Sequence, residues 1–491
     1  MKVALVLCPA WSREVPHLAI AILSACLRRN GHEVFVFDLN NDFYHNCIEK
    51  YKTKWRKEED LFWTENSFVS GFISEHEHII RKAVKNILAT DAQVIGFSVY
   101  FPTELMSLEL ARRIKEIDSQ RVIVFGGFQC LREIKGKEFI NDSSVDIVVM
   151  GEGEQTIIEL TETIESKGVI DFCEGVMLKR NGCIIDCGNR APITELNSLP
   201  FPDFRDFSPY LYEKSNAFPL LSSRGCFQDC VYCTVNIFWE KYRSTNAERM
   251  LMEIKLQLKR FNCIDTFIFY DPLLNGNIKE LSRFCDFIND EVDKGIIHPI
   301  KWTGQAIIRP EMTRRLLRKM RKAGCWGLSY GIESGSQNVL DKMRKHFKIS
   351  DAESVIRYTH RAGIKVSLNF MFGFPYETEE FFQETLDFIK RNRQYIDFVL
   401  PSESFCYIDK GTYLYEHAEE FGVLPNPHTS FWESIDGKNN YTERLKRFRI
   451  FCELACSLGI AIGMSRDKVK IFEQQTLAKY FAYKDTVKDK N

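Results

Sequence analysis

The stretch Cys226-Phe-Gln-Asp-Cys230-Val-Tyr-Cys233 places three cysteines within eight residues. A cubane iron–sulfur cluster has four irons and normally takes four cysteines, so three cysteines leave one iron open to a ligand that is not protein. Zinc is the alternative, because C-x-x-C is also a zinc spacing, but a structural zinc site needs four closed ligands. The sequence contains no second C-x-x-C pair. The stretch therefore favours an iron–sulfur cluster over a zinc site or three buried thiols.

The C-x3-C-x2-C spacing, with Tyr232 directly before the last cysteine, resembles the cluster-binding loop of the radical S-adenosylmethionine (radical SAM) enzymes. The resemblance implies that Cys226, Cys230 and Cys233 hold a [4Fe-4S] cluster whose open iron binds S-adenosylmethionine. It also implies that the reduced cluster splits this cofactor to give a 5′-deoxyadenosyl radical, which abstracts hydrogen from a substrate. A reducing partner such as flavodoxin or ferredoxin would supply the electron.

The composition is that of a folded globular protein. The 491 residues allow about two to four domains, and 45% hydrophobic with 27% charged residues is an ordinary balance. A formal net charge of −1 lacks the basic excess of a nucleic-acid-binding surface. We therefore expect no nucleic-acid partner.

The N-terminus and the cysteine content indicate a reducing compartment. The apolar run in residues 1–8 is too short to span a membrane and lacks a small-residue cleavage site. Sixteen cysteines without a secretory signal then favour reduced thiols. We expect a cytoplasmic protein without a transmembrane segment, peripheral to the membrane if its substrate is a lipid.

Residues 1–168 alternate short apolar runs with helical patterns, which is typical of a parallel α/β sheet. The pattern predicts a doubly wound, Rossmann-like domain. A polar and aromatic stretch from residue 40 to about residue 91 interrupts it and predicts an inserted helical or loop segment. The expected strands cover residues 3–7, 33–37, 94–98, 122–125 and 146–150, and the expected helices cover residues 18–29, 104–116 and 154–165.

Glycine and polar residues follow three of these strands, at the edge where open α/β sheets bind ligands. Together with the runs Pro16-His-Leu-Ala-Ile-Ala and Asn30-Gly-His-Glu-Val, they are similar to the cobalamin-binding domain that precedes the radical domain in one large radical SAM class. A plain doubly wound domain without a cofactor would show some of the same glycines. The resemblance implies a cobalamin site at Ser98, Tyr100, Gly126, Gly127, Gly151, Glu152 and Gly153.

The D-x-H-x-x-G run with which many cobalamin proteins supply a histidine to cobalt is absent from this sequence. The nearest stretch by position is Asp38-Leu-Asn-Asn, which has no histidine. If cobalamin binds, we expect its nucleotide base to be displaced with no histidine in its place.

Residues 169–215 contain short strand-like runs and several prolines, which predicts a connector. From residue 216 to residue 425 strand and helix patterns alternate again, and the resemblance implies a partial (β/α)6 TIM-like barrel. Its expected strands cover residues 219–222, 266–270, 326–330, 365–370 and 398–401, and its expected helices include residues 247–260, 310–323, 350–362 and 379–391. Residues 426–491 have a helical pattern and could cap the mouth of the barrel.

Ligands of such barrels lie at the carboxyl ends of the strands. Gly331-Ile-Glu-Ser-Gly-Ser336 resembles the strand-end motif that grips the ribose and methionine parts of S-adenosylmethionine, with Glu333 and Ser336 at the matching positions. Helix capping by one of its serines is the alternative. The run from Asn369 to Pro375 resembles the later motif that contacts adenine and ribose, with Asn369 as its polar strand residue.

Further polar side chains are candidates for contacts with the cofactor or the substrate. Asp271 ends an expected strand, and Arg243 follows the cysteine loop, where it could meet a carboxylate. No catalytic acid or base can be assigned, since the cofactors carry the chemistry. Four more residues lie at expected strand ends, and each also fits a packing or surface role: Tyr330, Gln305, Arg309 and Glu403.

These features predict a cobalamin-dependent radical SAM methyltransferase. The resemblance implies methyl transfer to an unactivated carbon, less often to phosphorus, of a small-molecule, lipid or natural-product substrate. Two alternatives stay open. One is a radical SAM cyclase, oxidase or carbon–carbon coupling enzyme in which cobalamin is absent or is not a methyl carrier. The other is a non-catalytic cobalamin or cluster sensor.

Overall fold

The structure is a computed structural model that describes residues 1–56, 59–168, 170–401, 405–463 and 466–488. The chain divides into two compact units. The first comprises Met1–Pro219 and Phe261–Ile264, and the second comprises Leu220–Arg260 and Asp265–Asn491.

The first unit is an α/β unit with one seven-stranded sheet. Its strands are β1 (Lys2–Leu7), β2 (Glu33–Asp38), β3 (Val94–Ser98), β4 (Val122–Gly126), β5 (Ile147–Val149), β6 (Val176–Arg180) and β7 (Cys183–Asp186). Its helices are α1 (Leu18–Arg29), α2 (Leu39–Asn46), α3 (Glu49–Lys52), α4 (Asn66–Glu75), α5 (Glu77–Ala89), α6 (Glu104–Ile117), α7 (Lys137–Asn141) and α8 (Gly153–Lys167). The five predicted strands and three predicted helices are confirmed, with bounds that differ by at most two residues.

The strand order of this sheet is β2-β1-β3-β4-β5-β6-β7. The first five strands pair in parallel, which confirms the predicted doubly wound class. The order reverses between β1 and β3, because β2 lies on one side of β1 and the later strands lie on the other. Open α/β sheets bind ligands outside the carboxyl ends of the strands at such a switch point.

The expected connector lies, from residue 170 onward, within the first compact unit. Its two strand-like runs form an antiparallel hairpin, β6 with β7, and β6 pairs antiparallel with β5. The stretch thus extends the sheet by two strands before the chain reaches the second unit.

The insertion between β2 and β3 folds into the helices α2–α5 around a packed aromatic core. Trp63 and Phe72 are fully buried, with ring centroids 4.9 Å apart. The Nε1 of Trp55 donates to the Oδ1 of buried Asn40 at 2.8 Å. Asn40 also accepts from the backbone N of Trp11 at 2.9 Å and donates to the carbonyl of Trp11 at 3.1 Å. The insertion therefore positions the loop that follows β1.

The second unit contains a barrel-type sheet and a short ribbon. Its strands are β8 (Ala217–Leu220, at the boundary of the units), β9 (Ser223–Arg224), β10 (Arg243–Ser244), β11 (Thr266–Phe269), β12 (Lys301–Ala306), β13 (Cys325–Glu333), β14 (Lys365–Phe370), β15 (Phe398–Pro401) and β16 (Ala461–Ile462). Its helices are α9 (Val235–Trp239), α10 (Ala247–Arg260), α11 (Ile278–Asp293), α12 (Arg314–Lys322), α13 (Gln337–Met343), α14 (Ile349–Arg361), α15 (Glu379–Asn392), α16 (Tyr413–Glu416), α17 (Tyr441–Ser457) and α18 (Arg466–Lys488).

The order of the barrel strands is β16-β15-β14-β13-β12-β11-β8. The pairs from β11 to β16 are parallel, and each strand is followed by helical structure. The predicted partial barrel is thus confirmed. The six strands β8, β11, β12, β13, β14 and β15 form it, and the two-residue β16 adds an edge strand. The sequence analysis placed Gln305 at a strand end but gave no bounds for β12, and β16 was not expected.

Side chains alternate between two environments along the barrel strands, as a strand with one covered face requires. In β14, Val366, Leu368 and Phe370 are buried, whereas Ser367 and Asn369 are only half-buried. The half-buried positions of these strands are mostly hydroxyl and amide residues: Thr303 in β12, Ser329 in β13, and Ser367 and Asn369 in β14.

The C-terminal region is helical, as predicted, in α17 and α18. Phe448 and Phe451 of α17 pack against Phe372, which follows β14, with ring centroids 6.2 and 4.9 Å away. No described helix combines the length and the apolar run that a bilayer crossing requires.

Candidate cofactor site

The cysteine loop is an excursion between two short antiparallel strands. β9 pairs with β10, and the loop between them contains Cys226, Cys230 and Cys233. Gly225 opens the loop with φ +72°, and a Cβ atom at this position would lie 2.3 Å from the carbonyl oxygen of Lys241. Glycine is therefore needed where the two ends of the loop meet.

Hydrogen bonds inside the loop hold its first turn. The backbone N of Cys226 donates to the Oδ1 of Asn236 in α9 at 3.2 Å, and the Nδ2 of Asn236 donates to the carbonyl of Gln228 at 2.9 Å. The backbone N of Gln228 donates to the Sγ of Cys226 at 3.4 Å. Hydrogen bonds to ligand sulfurs are one means by which proteins set the reduction potential of iron–sulfur clusters.

The three thiols are half-buried and lie close enough to influence one another. Burial raises the pKa of Cys226, Cys230 and Cys233, and a neighbouring thiolate of the loop raises each further. The ammonium of Lys345 lowers the pKa of all three and so favours their thiolates. Among the described residues, no group of three or more His, Cys, Asp or Glu side chains is arranged to hold a single metal ion. The assignment of these cysteines to a cluster stays a prediction.

Asp271 anchors the chain just before the cysteine loop. Its Oδ1 accepts from the hydroxyls of Ser222 and Ser223, each at 2.6 Å, and from the backbone N of Ser222 at 3.1 Å. The residue is 1% exposed, and burial raises its pKa to about 6 although these hydrogen bonds act in the opposite direction. The carboxylate that the sequence suggested for the cofactor is thus occupied in placing the cysteine loop.

A turn after α13 contacts the residues between the cysteines. The carbonyl of Met343 accepts from the backbone N of Val231 at 3.2 Å, and the Sγ of Cys230 lies 3.9 Å from the carbonyl of Arg344. Arg344 and His346 adopt φ values of +60° and +51°, which are uncommon for residues with a Cβ atom. This left-handed backbone turns the side chain between them, Lys345, toward the cysteine loop and the end of β13.

The ammonium of Lys345 joins the two parts of the site. Its Nζ lies 3.3 Å from the hydroxyl of Tyr232 and 3.3 Å from the Oε1 of Glu333. The side chains of Lys345 and Glu333 are 9% and 15% exposed. Burial disfavours the ammonium, but the carboxylate of Glu333 and the thiolates of Cys230 and Cys233 outweigh it and raise the pKa of Lys345. The site therefore presents a cation and an anion side by side.

Glu333 ends β13 at an irregularity in the pairing with β14 and has φ +66°. After it, the hydroxyl of Ser334 accepts from the backbone N of Ser336 at 3.1 Å and lies 3.2 Å from the hydroxyl of Thr385 in α15. Ser336 is fully buried, and its own hydroxyl has no hydrogen-bond partner. A buried hydroxyl without a partner is costly, and a bound ligand would relieve this cost. The capping alternative for Ser336 receives no support, because this side chain makes no cap hydrogen bond.

Asn369 lies one strand away from the end of β13. It pairs in register with Gly331, and its Oδ1 accepts from the hydroxyl of Ser329 at 3.2 Å. The following loop contains Gly373, with φ +73°, and Pro375. Asn369 and Glu333 thus stand at the carboxyl ends of adjacent strands, as the motifs predicted.

Two further predicted contact residues, Arg243 and Arg309, hydrogen-bond to backbone carbonyls. The guanidinium of Arg243 donates to the carbonyls of Trp239 and Lys241, at 2.8 and 3.2 Å, and so fastens the end of the cysteine loop. Arg309 donates to the carbonyls of Asn275 and Gly276. Tyr330 is fully buried against Thr359, Gln305 is exposed, and Glu403 lies outside the described residues.

The switch point of the first sheet carries an aromatic pair. Trp11 follows β1 and Tyr100 follows β3, and their rings stack with centroids 3.9 Å apart. His17 contacts both rings edge-on, at 5.9 and 5.5 Å. Its Nδ1 accepts from the backbone N of Ile20 at the start of α1, and burial lowers its pKa to about 3, so the imidazole is neutral.

The predicted cobalamin residues of the neighbouring strands gather at the same edge. Gly127 has φ +113°, and a Cβ atom there would lie 2.7 Å from the carbonyl of Val99. Gly126 accepts from the backbone N of Val99 at 2.7 Å, and Ser98 lies beside the hydroxyl of Tyr100. Gly151 has φ +76° and open space where a Cβ atom would stand, and Gly153 begins α8.

Glu152 is the exception in this set. Its Oε2 accepts from the backbone N of Ile193 at 2.6 Å, so its carboxylate holds the segment that leads out of the sheet.

Residues 220–389 match the family model described as the radical SAM superfamily. This chain carries a radical SAM domain. Such a domain implies a [4Fe-4S] cluster and S-adenosylmethionine as cofactors. The donor set fits both: three cysteines without a fourth suit a cluster with one open iron, and the radical SAM domain offers the orphaned Ser336 hydroxyl and the Lys345–Glu333 pair beside them.

Several curated proteins are similar to this chain at 22–26% identity. An uncharacterized methyltransferase of Pyrococcus horikoshii is 25% identical over 73% of this chain and 75% of its own length. An anaerobic magnesium-protoporphyrin IX monomethyl ester cyclase of Cereibacter sphaeroides is 24% identical over 66% of this chain and 53% of the cyclase. The cytidylyl-2-hydroxyethylphosphonate methyltransferase of Streptomyces wedmorensis is 22% identical over 73% of this chain and 69% of its own length.

Solved structures of two proteins, OxsB and TsrM, are similar in fold to this chain. The cobalamin-dependent radical enzyme OxsB, with aqua-cobalamin bound, matches with a TM-score of 0.64 and 18% identity over 86% of this chain and 56% of OxsB. The methyltransferase TsrM of Kitasatospora setae, with cobalamin and a [4Fe-4S] cluster bound, matches with a TM-score of 0.66 and 16% identity over 87% of this chain and 79% of TsrM. At these identities the likeness shows the fold alone.

Two residues of the candidate site were missed from the sequence. Lys345 lies in the charged run Asp341-Lys-Met-Arg-Lys-His, which is typical of a solvated helix end. Trp11 follows β1 in a loop without a motif. The position of Lys345, a charged residue twelve positions after Glu333, could have indicated its role. No local feature of the sequence indicated a role for Trp11.

Proposed function

We propose that this chain is a cobalamin-dependent radical SAM methyltransferase that acts on an unactivated carbon, or less often on phosphorus. The observation that carries the proposal is the ribbon-held loop of three cysteines beside the Lys345–Glu333 pair. When bound, a reduced cluster cleaves S-adenosylmethionine and supplies the 5′-deoxyadenosyl radical that abstracts hydrogen from the substrate.

The residues of the second unit would bind and orient the cofactors. Cys226, Cys230 and Cys233 would hold the cluster. The opposite charges of Lys345 and Glu333 suit the carboxylate and ammonium of a methionine head group, since charge-assisted hydrogen bonds are the strong ones. The orphaned hydroxyl of Ser336 would then find a partner on the cofactor. Asn369, at the end of the next strand, would contact the adenosine part.

Cobalamin would lie at the switch point of the first sheet and supply a methyl group when bound. The stacked pair Trp11–Tyr100 offers a flat apolar surface there, and Gly151 after β5 has open space at its Cβ position, which leaves the backbone accessible to a large ligand. The OxsB and TsrM structures contain bound cobalamin, and several curated relatives are named methyltransferases. These likenesses support the methyl-transfer assignment.

A labelling experiment tests the proposal. Anaerobically reconstituted protein would be supplied with hydroxocobalamin, a reductant and S-adenosylmethionine with a deuterated methyl group, together with extracts of the native host. The proposal predicts a labelled product and 5′-deoxyadenosine together. Host cells with Cys230→Ala should accumulate a metabolite or lipid one methylene lighter, whereas Cys456→Ala in α17 should not. Methylated product without 5′-deoxyadenosine would contradict the proposal.

A radical SAM cyclase is the second candidate, and the relatives named magnesium-protoporphyrin IX monomethyl ester cyclase favour it. In that case 5′-deoxyadenosine forms and the product carries no label from the methyl group. A sensor is distinguished in the same assay, because its cluster would not cleave S-adenosylmethionine on reduction.

The electron would come from a flavodoxin- or ferredoxin-type protein in a reducing compartment such as the cytoplasm. All sixteen cysteines are free thiols, which fits such a compartment.

A further inference from the structure

The loop that follows β14, residues 371–377, is held by buried polar side chains of the C-terminal region. The Oε2 of Glu377 accepts from the backbone N of Gly373 at 2.7 Å and from the Nη1 of Arg447 at 2.9 Å. The same Nη1 donates to the carbonyl of Glu377 at 2.8 Å. The side chains of Arg447 and Glu377 are 7% and 1% exposed, so this is an ion pair inside the protein.

A second set of hydrogen bonds holds the carbonyls of the same loop. The Nδ2 of Asn439 donates to the carbonyls of Gly373 and Phe374, at 3.1 and 3.3 Å. The Oδ1 of Asn439 in turn accepts from the Nη1 of Arg444 at 3.3 Å. Arg444 is fully buried, and its guanidinium lies 4.1 Å from the ring centroid of Trp432.

The backbone of the loop rests directly on Arg444. Gly373 has φ +73°, and a Cβ atom at this position would lie 2.1 Å from the Cγ of Arg444. Any other residue would therefore move either the loop or the arginine. The backbone N and carbonyl of Gly373 and the aliphatic part of the Arg444 side chain therefore belong to one packed arrangement.

This arrangement is a costly way to fill a core. Taking two guanidinium groups out of water carries a large penalty, and well-packed apolar residues often stabilise a protein as well or better. The Nε of Arg444 is buried without a hydrogen-bond partner, which adds to the cost, whereas the Nε of Arg447 lies 3.6 Å from the Oε1 of Glu443. Stability alone does not explain why two buried arginines of α17 converge on one loop.

We infer that Arg447 and Arg444 are positioning residues, which hold residues 371–377 in the conformation that receives S-adenosylmethionine. The inference rests on the proposed function, in which Asn369 and the loop after it contact the adenosine part of the cofactor. The C-terminal helix α17 thereby sets the affinity of the radical SAM domain for its cofactor without contacting it. The C-terminal region therefore contributes to the cofactor site through α17.

Three variants of α17 test the inference. Arg447→Met removes the ion pair, Arg447→Lys retains a cation, and Arg449→Met is the control, because Arg449 is 48% exposed on the same helix and pairs with Glu473 at 3.4 Å. Hydrogen exchange of the backbone amides in residues 370–378 reports the loop. The spectroscopic shift of the reduced cluster on addition of S-adenosylmethionine reports cofactor affinity in the same reconstituted proteins.

We expect Arg447→Met to speed exchange in residues 370–378 while the rest of the radical SAM domain exchanges as before. Its dissociation constant for S-adenosylmethionine should rise about tenfold or more, since small displacements of positioning groups have effects of this size. Iron content should be unchanged, Arg447→Lys should be intermediate, and Arg449→Met should match the parent. If Arg447→Met does not accumulate as folded protein, Asn439→Ala, which removes the two bonds to the loop carbonyls, replaces it in both measurements.

Unchanged exchange and affinity in Arg447→Met would overturn the inference. Faster exchange over the whole domain, with no selective change in residues 370–378, would also overturn it, because that result describes general destabilisation. A parent protein that never binds S-adenosylmethionine would defeat the proposed function, while the exchange comparison would still decide whether the arginines hold the loop.

Discussion

The Nζ of Lys345 lies 3.3 Å from the Oε1 of Glu333, and both side chains are largely buried. The pair connects the turn after α13 with the end of β13, and the hydroxyl of Tyr232 ties it to the cysteine loop. A cation and a carboxylate held side by side at the carboxyl ends of barrel strands match the charges of an amino-acid head group.

Lys345→Met should weaken cofactor binding and leave the cluster in place. Loss of a charge-assisted hydrogen bond worth roughly 1.5–3 kcal/mol corresponds to about tenfold or more in the dissociation constant for S-adenosylmethionine. Lys342→Met is the control, since Lys342 is exposed and lies over the ring of Tyr376 at 4.8 Å. Titration of the reduced cluster with S-adenosylmethionine measures both, and equal affinities in the two variants would contradict the role of Lys345.

Gly373→Ala should cost more stability than Gly422→Ala. Both glycines have positive φ, +73° and +66°, so both variants carry backbone strain of about 1–2 kcal/mol. Only at Gly373 would the new Cβ meet another atom, the Cγ of Arg444 at 2.1 Å, whereas Gly422 has open space. Overpacking should add roughly 1–3 kcal/mol to the loss in the free energy of unfolding. Denaturant unfolding of the two variants, compared with the parent, gives the difference; equal losses would show that the loop can move away from Arg444 freely.

Glu253 should make stability depend on pH. It is 4% exposed in α10, and burial, with the nearby Asp271 adding to it and Arg249 opposing it, raises its pKa from 4.5 to about 7. The folded protein therefore keeps a proton that the unfolded chain releases between these values. The free energy of unfolding falls as pH rises through this window, by up to about 3 kcal/mol.

Glu253→Gln should remove this fall, whereas Glu248→Gln, at an exposed carboxylate of the same helix that pairs with Arg283, should retain it. Melting temperatures between pH 5 and pH 8 provide the measurement. If the melting temperature depends on pH in the same way in the parent protein and in Glu253→Gln, the assignment is wrong.

Tyr100→Ala should reduce the retention of cobalamin. It removes one ring of the stacked pair at the switch point of the first sheet, whereas the control Phe101→Ala removes a ring that is 50% exposed. Absorbance after desalting of protein reconstituted with hydroxocobalamin reports the bound corrinoid. Equal corrinoid in Tyr100→Ala and the parent would argue against this edge as the site, and none in the parent would argue against cobalamin altogether.

Periodicity and turn chemistry predicted most of the regular structure. The strands β3, β14 and β15 and the helices α1 and α10 have the bounds that the sequence predicted. The bounds of the strand β12, Lys301-Trp-Thr-Gly-Gln-Ala, were not predicted, because Trp302 is its one large apolar residue. One of its buried positions is Gly304, where a Cβ atom would lie 2.8 Å from the Cδ2 of Leu274. The strand is buried by this close packing and not by a run of apolar side chains, so its sequence lacks the usual strand pattern.

Local motifs predicted the cysteine loop and the strand-end residues, but not the contacts that assemble them. Lys345 depends on two left-handed residues in a charged turn, and that backbone cannot be read from composition. Asp271 and Arg243 were expected at a ligand, yet each bonds the backbone or hydroxyls that place the cysteine loop. Such roles arise from residues far apart in the chain, as with Arg447 and Glu377, which are separated by 70 positions.

Reductive cleavage of S-adenosylmethionine tests the central claim most directly. Anaerobically reconstituted parent protein, given a low-potential reductant, should form 5′-deoxyadenosine, and Cys226→Ala, Cys230→Ala and Cys233→Ala should each form none. The control Cys456→Ala, which alters a half-buried thiol of α17, should cleave like the parent. A parent protein with a full complement of iron and sulfide that forms no 5′-deoxyadenosine, or a Cys230→Ala variant that forms as much as the parent, would contradict the account.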